Sequence, residues 1–272
     1  MSTLTPDSLV SFSLDSSDLA EQYDALSDLQ FENGRRLALD LGIQSGHRIL
    51  DVGAGTGRLA EHLAGIAGGP EYIAAIDPLS SRIELARRRL GDGPRLSVGR
   101  AEDLSDFADA SFHHVIFNAV FHWIPDQPSA LREAARVLRP GGRIGITTGD
   151  RHKSNAFQDA VERVLARPEF QDLSPVDWLP YRVTLEQLRS LLEAAGFEQE
   201  LLVARSFTDY YNRAEDIFAF NRSSSFGNFL KELPPQRAGA ARRAIAEELE
   251  TLRGERGIGL QRHTIFSVAK KR

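Results

Sequence analysis

The stretch Ile49-Leu50-Asp51-Val52-Gly53-Ala54-Gly55-Thr56-Gly57-Arg58 constrains this chain more than any other. A short apolar run ends on glycines, and a helical pattern starts directly after them. Glycine reaches backbone angles closed to other residues and leaves room for a ligand to approach the main chain. Between a buried strand and a helix, such a loop is what a nucleoside-binding α/β unit needs. A plain tight turn uses the same glycines, so context has to decide. Asp77 closes the next strand, 24 residues beyond Gly53. An acidic side chain there can accept both hydroxyls of a ribose. Asp51 sits at the carboxyl end of the first strand, where open α/β sheets bind their ligands.

The pattern repeats along the chain. A helix is expected over Leu19 to Leu41, a strand ending at Val52, and a helix from Arg58 to Ile66. Next come a strand from Tyr72 to Asp77, a helix from Ser80 to Leu90 capped by serine, and a short strand from Arg95 to Val98. His113 to Asn118 reads as a strand, Ser129 to Leu138 as a helix stopped by Pro140-Gly141-Gly142, and Arg143 to Thr148 as a strand. Strands alternating with helices of this length argue for a parallel sheet covered on both faces. After Gly149 the rhythm changes. Residues 150–180 read as a connecting or lid segment, and Thr184 to Ala195 as a capped helix. Phe197 to Phe207 reads as a strand, 214–256 as charged helix broken at Pro234-Pro235, and Arg262 to Ala269 as a last strand. The expected architecture is therefore α/β: a doubly wound, Rossmann-like sheet of seven strands with a helical cap. One domain over 1–272 is expected, its N-terminal helix over about 18–41, its nucleoside-binding core over about 45–149 and its cap over about 150–180 and 214–256. A cap that moves is expected from those last two segments.

Composition narrows the chemistry. With 272 residues and no cysteine, the chain can bury a core without staples, and it has no thiolate nucleophile, cysteine-bound zinc or iron–sulfur site. The missing cysteines fit a reducing compartment. A net charge of −5 gives no broad attraction to nucleic acid. The basic runs Arg87-Arg88-Arg89, beside Glu84, and Lys270-Lys271-Arg272 are short and read as a solvated helix face and a chain end. Residues 1–17 read as loosely ordered, and Met1 to Asp15 is polar, with no run of signal-peptide type. No stretch is long enough to span a bilayer, so membrane insertion is not expected and the cytoplasm is the expected location. The seven histidines lack metal-ligand spacing, and His113 and His114 are expected on opposite strand faces, so no metal is expected.

The loop also narrows the nucleoside. A P-loop needs Gly-Lys-Ser/Thr, whereas this loop ends in Gly57-Arg58-Leu59; a dinucleotide loop reads G-x-G-x-x-G, whereas this one reads G-x-G-x-G. That spacing, preceded by Asp51, resembles motif I of the class I S-adenosylmethionine-dependent methyltransferases. The resemblance implies Asp51, Gly53, Ala54, Gly55 and Gly57 around the cofactor, with Asp77, followed by Pro78, as the ribose acid. Gly99-Arg100-Ala101-Glu102-Asp103-Leu104 resembles the segment that holds adenine, through the amide of Ala101. Arg100 stands where the family usually has an acidic or amide side chain, so Glu102 or a main-chain group is the alternative contact. Phe117-Asn118-Ala119-Val120-Phe121-His122-Trp123 resembles motif IV, which implies that Asn118 borders the methionine moiety. Tyr23-Asp24-x-x-Ser27-x-x-Gln30 resembles the helix that closes over the cofactor, implicating Tyr23 and Gln30. A second departure is Phe112-His113, where Phe-Asp is usual. Within the family the chain resembles the small-molecule branch of trans-aconitate, malonyl-carrier-protein and juvenile hormone acid methyltransferases.

The resemblance implies methyl transfer from S-adenosylmethionine to a small-molecule substrate, a carboxylate or an apolar metabolite, with S-adenosylhomocysteine as product. His122, just past the fourth strand, is the candidate base, because imidazole titrates near neutral pH. The alternative is that His122 and Trp123 only wall the substrate pocket. Tyr211, Arg222 and Arg262 are candidate substrate contacts, since a guanidinium can clamp a carboxylate through two hydrogen bonds. Surface ion pairs are the plainer reading of each arginine. Phe218, Phe220, Phe226 and Phe229 are expected to pack the cap. Two other functions stay open: a non-catalytic cofactor-binding or interaction protein, and, with the loop spacing against it, a nicotinamide oxidoreductase.

Overall fold

The computed structural model describes Phe12 and residues 15–170, 181–225 and 235–272. Trp178, Phe226, Phe229 and Pro234, each part of the sequence reading, lie outside them, as does most of the segment before Asp15.

Five strands run parallel: β1 (Ile49–Val52), β2 (Ile73–Asp77), β3 (Arg95–Val98), β4 (Phe112–Asn118) and β5 (Leu138–Gly149). Two long antiparallel strands, β6 (Phe197–Tyr211) and β8 (Gly257–Lys271), complete the sheet, with the two-residue β7 (Arg253–Gly254) paired to the start of β8. The order is β3-β2-β1-β4-β5-β8-β6, so the seven-stranded sheet is present and gains one short edge piece. Parallel neighbours need crossovers. They are supplied by α3 (Arg58–Ala67), α4 (Ser80–Leu90) and α5 (Gln127–Val137). Every residue of β1 and β2 is buried, as strands covered on both faces must be. Leu50, Ile49 and Ile73 are fully buried there, as is Phe117 on β4, each contributing about 1.5–3 kcal/mol relative to exposure. Strand order reverses between β1 and β4. Their following loops leave in opposite directions and open a crevice at the carboxyl edge, where such sheets take ligands.

The N-terminal helix is two helices, α1 (Ser17–Leu26) and α2 (Asp28–Leu41), separated at Ser27. The apolar spacing runs through the break, and only tertiary contact shows it: Ser27 is buried and lines the crevice. Of the segment expected to be loosely ordered, 1–17, the residues from Asp15 to Ser17 are described and held in place. Ser16 caps α1, and Asp15 meets Arg82 at 3.3 Å with both side chains under 5% exposed. Ser80 does not cap α4. Leu79 holds that place, and its N–H donates to Asp77 Oδ1 instead.

The segment read as a connector holds a helix, α6 (Ala156–Leu165), started by a reciprocal cap between Asn155 and Gln158. With α8 (Ala214–Ser224) and α9 (Pro235–Glu250) it packs on the outer ends of β6 and β8. Phe157, Val164, Ile217, Phe218, Ile245 and Leu260 form this second core. Burial of Tyr211, Ile258 and Leu260 in it explains why both strands outrun their expected ends at Phe207 and Arg262. On the opposite side of the sheet α7 (Leu185–Ala194), capped by Thr184, completes the main core through Leu188 and Leu192. No helix among the described residues is long and apolar enough to cross a membrane.

One strand detail departs from simple alternation. A register shift between Phe112 and His114 lets both His113 and His114 reach His47. The His113 ring stacks on His47 at 4.6 Å between centroids, and His114 Nε2 lies 2.9 Å from His47 Nδ1.

Candidate active site

A cavity of about 220 Å³ fills the crevice at the carboxyl ends of β1 and β4. The glycine loop forms its floor. Gly53 (φ +75°) and Gly55 (φ +56°) both hold left-handed backbone. The N–H groups of Gly53 and Ala54 donate to Ile76 O at 2.8 and 3.0 Å, which pins the loop to β2. Asp77 does the same from the other side: Oδ2 accepts from Gly55 N at 2.9 Å and Oδ1 from Leu79 N at 3.0 Å. Burial pushes its pKa up, against the pull of Arg82 and these two N–H groups.

The roof comes from α1, α2 and α8. Asp24 on α1 accepts from Thr56 Oγ1 of the loop and from Arg89 of α4 at 2.9 Å. Burial would raise the Asp24 carboxyl, but those hydrogen bonds prevail and hold it below the usual range. Tyr23 lies between the Arg82 guanidinium, 4.7 Å from its ring, and Phe220 of α8. Arg82 reaches on to Ser223 O at 2.9 Å, tying α4 to α8.

One side of the cavity is lined with hydrogen-bond acceptors. Asp51 Oδ2, Gln30 Oε1 and Asn33 Oδ1 are buried and without a hydrogen-bond partner among the described residues. Buried acceptors are normally satisfied, so this cluster fits a ligand rich in N–H groups or carrying positive charge. Asn118 is spoken for. Its Nδ2 donates to Gln30 O at 3.0 Å, and its Oδ1 accepts from Thr147 Oγ1 at 2.7 Å. Burial, and then Asp77, pushes the Asp51 carboxyl up to about 7. The unfolded chain ionises this group near pH 4 and the folded one only near pH 7. Stability from its protonated form is therefore complete below pH 4 and is lost as pH rises through 7, by about 4 kcal/mol in all. The Asp51→Asn protein without cofactor should resist urea better than wild type at pH 8 by about 2–4 kcal/mol. The advantage should vanish near pH 4, and a pH-independent difference would refute the account.

The other side carries donors and the turn after β4. His122 is buried, with Nδ1 3.1 Å from Thr148 Oγ1. Burial, helped by the charge of Arg182, drives its pKa down to about 3. Trp123 stands against it, ring centroids 5.4 Å apart. Arg262 lies 3.3 Å from Asp209, donates to Tyr211 Oη at 2.8 Å, and covers the Phe220 ring at 4.7 Å.

The cavity thus brings together Tyr23, Gln30, Asp51, Gly53, Ala54 and Gly55 with Asp77 and Asn118, and joins them to His122, Trp123 and Arg262. Other expected site residues stand outside its lining. Gly57 serves helix packing, since a Cβ there would sit 2.9 Å from the Ala86 Cβ. Pro78 is half-buried beside Asp77. Ala101 belongs to the main core, and Arg100 and Glu102 form a 3.8 Å ion pair over a separate shallow groove. Tyr211 is packed in the cap, its hydroxyl donating to Asp209, and Arg222 is exposed on α8. Asn33, Arg82, Gln158 and Arg182 line the cavity unannounced by the sequence reading. Only Gln158 carried a readable signal, the Asn-x-x-Gln spacing of a helix start.

Comparison with known proteins agrees with this geometry. Residues 50–146 match the family described as Methyltransferase domain. The chain is 29% identical over 231 residues to the ubiquinone/menaquinone biosynthesis C-methyltransferase of Vibrio cholerae, covering 76% of this chain and 85% of that one. The YcgJ protein of Bacillus subtilis superposes with a TM-score of 0.60 at 20% identity, over 87% of this chain and 97% of that one. SpnF, a (4+2)-cyclase, superposes at 0.56 with 20% identity over 89% of this chain and 80% of its own, so the fold also hosts other chemistry. The sequence match across the glycine loop, Asp77 and the turn after β4, on this sheet order, supports a class I S-adenosylmethionine-dependent methyltransferase.

Proposed function

We propose that the chain methylates a metabolite-sized acceptor seated against His122 and Trp123, with S-adenosylmethionine on the acceptor-lined side of the same cavity. The observation that carries this reading is the continuity of the cavity, which runs from Asp77 and Gly55 to His122 and Trp123 without a break in its lining. The bound cofactor would supply a methyl group already activated by its sulfonium, for transfer to an electron pair of the acceptor, with S-adenosylhomocysteine as the leaving group. The protein's task is alignment and exclusion of water, which in well-oriented systems contributes about 7–11 kcal/mol.

The residues divide that task. Asp77 takes the ribose hydroxyls. Asp51, Gln30 and Asn33 offer the unpartnered oxygens that an ammonium group and a nearby positive charge require. Adenine is assigned to the segment after β3, which starts beside Asp77 through the Gly99 N–H to Asp77 O bond of 3.1 Å. Trp123 and Phe220 give the acceptor an apolar wall. The Vibrio relative is named for C-methylation in quinone biosynthesis, which makes an activated ring carbon one candidate for the receiving atom.

His122 acts here as a wall and hydrogen-bonding partner. A group titrating near 3 is neutral at physiological pH and takes up protons poorly. His122→Ala should cut kcat at least tenfold with cofactor affinity intact. The wild-type rate should show no inflection between pH 5 and 8 that the variant lacks; finding one would make His122 the base. Incubating the protein with methyl-labelled S-adenosylmethionine and a metabolite extract tests the whole reading. Label should appear in a small molecule. Cofactor binding with no label transfer would leave a binding protein, and binding of a nicotinamide cofactor in place of S-adenosylmethionine would refute the seat.

A further inference from the structure

We propose that Arg182 anchors an oxyanion on the acceptor substrate, so that this site selects acidic acceptors over neutral ones of the same shape; the inference rests on the methyltransferase reading above.

The arginines of the cavity differ in one respect. Arg58 meets Asp28 at 2.7 Å, Arg82 meets Asp15 at 3.3 Å, and Arg262 meets Asp209 at 3.3 Å. Arg182 has no carboxylate within 4 Å among the described residues. Its only hydrogen bond there runs from Nη1 to Gln158 Oε1, at 3.1 Å, and its Nε is buried with no acceptor. A guanidinium carries five N–H donors and stays charged at any relevant pH. Held in a protein wall without a counter-charge, it is a cation waiting for one.

The side chain is also held in place. Gln127 Nε2 donates to Tyr181 O at 2.7 Å, and Arg151 N donates to Val183 O at 3.0 Å. The carbonyls on both sides of Arg182 are thus fixed, to α5 and to the end of β5. Gln158, which receives Nη1, is itself locked by the α6 cap, where its Oε1 also accepts from Asn155 N at 3.2 Å. Geometry of this kind spares ordering entropy when a ligand binds. Arg182 stands close enough to His122 for its charge to act on that ring, so an anion paired with it lies beside the pocket that receives the acceptor. Lys153, exposed at the rim, adds positive charge on this side. Asp150 opposes it, with Oδ1 occupied by His152 N at 2.9 Å. The clamp expected at Arg222 or Arg262 is replaced: the first is exposed on α8 and the second already neutralised by Asp209.

The test titrates full-length protein, with and without S-adenosylhomocysteine, with benzoate, phenyl phosphate and benzamide. Wild type should bind one of the two anions at least tenfold more tightly than the neutral amide. Benzoate ahead assigns the site to carboxylates, and phenyl phosphate ahead assigns it to phosphates. Arg182→Gln should erase the preference, Arg182→Lys should keep part of it, and both should bind S-adenosylhomocysteine within twofold of wild type. Equal or undetectable binding of anion and amide overturns the anchor, as does a preference that survives Arg182→Gln. Failure of S-adenosylhomocysteine to bind wild type overturns the methyltransferase seat instead, and is read separately.

Discussion

The Asp77→Ala protein is expected to lose S-adenosylmethionine binding by a factor of about 10² to 10⁴, measured by calorimetry. The magnitude follows from what the carboxylate does. A hydrogen bond to a charged group is worth about 1.5–3 kcal/mol, and the proposed role gives Asp77 two of them to ribose hydroxyls. The same oxygens already accept from Gly55 N and Leu79 N, so alanine also releases the glycine loop from β2. Asp77→Asn separates the two contributions. It keeps one carbonyl oxygen and the side-chain shape but loses one acceptor and the charge, and should bind about tenfold more weakly than wild type. Acid acts in the same direction. Burial raises the Asp77 pKa, and a ribose-accepting carboxylate works when ionised, so wild-type affinity should be full at alkaline pH. It should fall with acidification from a pH above the ordinary carboxylate range. Alanine affinity within threefold of wild type would remove Asp77 from the cofactor site.

Asp77 was legible in the sequence because its signals are local. A short, continuously apolar strand ends there, a fixed distance after a glycine loop, and each part of that statement is read within a few residues. The sheet itself was legible for the same reason, since short apolar runs mark strands covered on both faces and a period of about 3.6 residues marks the helices between them. What stayed hidden depends on partners distant in the chain. Arg82 finds Asp15 across 67 residues, and Arg262 finds Tyr211 across 51. The sequence displays arginines but not which of them lack a counter-charge, and so Arg222 and Arg262 drew notice while Arg182 did not. The break at Ser27 is of the same kind. Helical spacing continues through it, and the turn exists because Ser27 is buried at the cavity. The long β6–β8 ribbon outran its expected ends because the cap, not the main core, buries its far half.

The glycine loop bears the second large effect, and it separates two readings of the same glycines. Gly53→Ala should destabilise the cofactor-free protein by about 2–5 kcal/mol. Left-handed backbone costs an alanine roughly 1–2 kcal/mol, and overpacking adds about 1–3 kcal/mol. The clash is specific: a Cβ on Gly53 would stand 2.3 Å from Val120 Cγ2 and 2.8 Å from Val120 Cβ. Gly55→Ala meets no such obstacle, since the nearest atom to its Cβ is Tyr23 Cε1 at 4.0 Å. It should cost only the backbone part of roughly 1–2 kcal/mol, yet it places a methyl group on the lining of the cavity and should weaken S-adenosylmethionine binding out of proportion to stability. On this division the first glycine answers to packing of the loop against the turn after β4, and the second to room for the proposed cofactor. Val120→Ala tests the division. In that background Gly53→Ala should cost at least 1 kcal/mol less than in wild type, because contacting residues couple, while the cost of Gly55→Ala should not change. Equal costs of Gly53→Ala in both backgrounds would leave no part for the Val120 Cγ methyl groups.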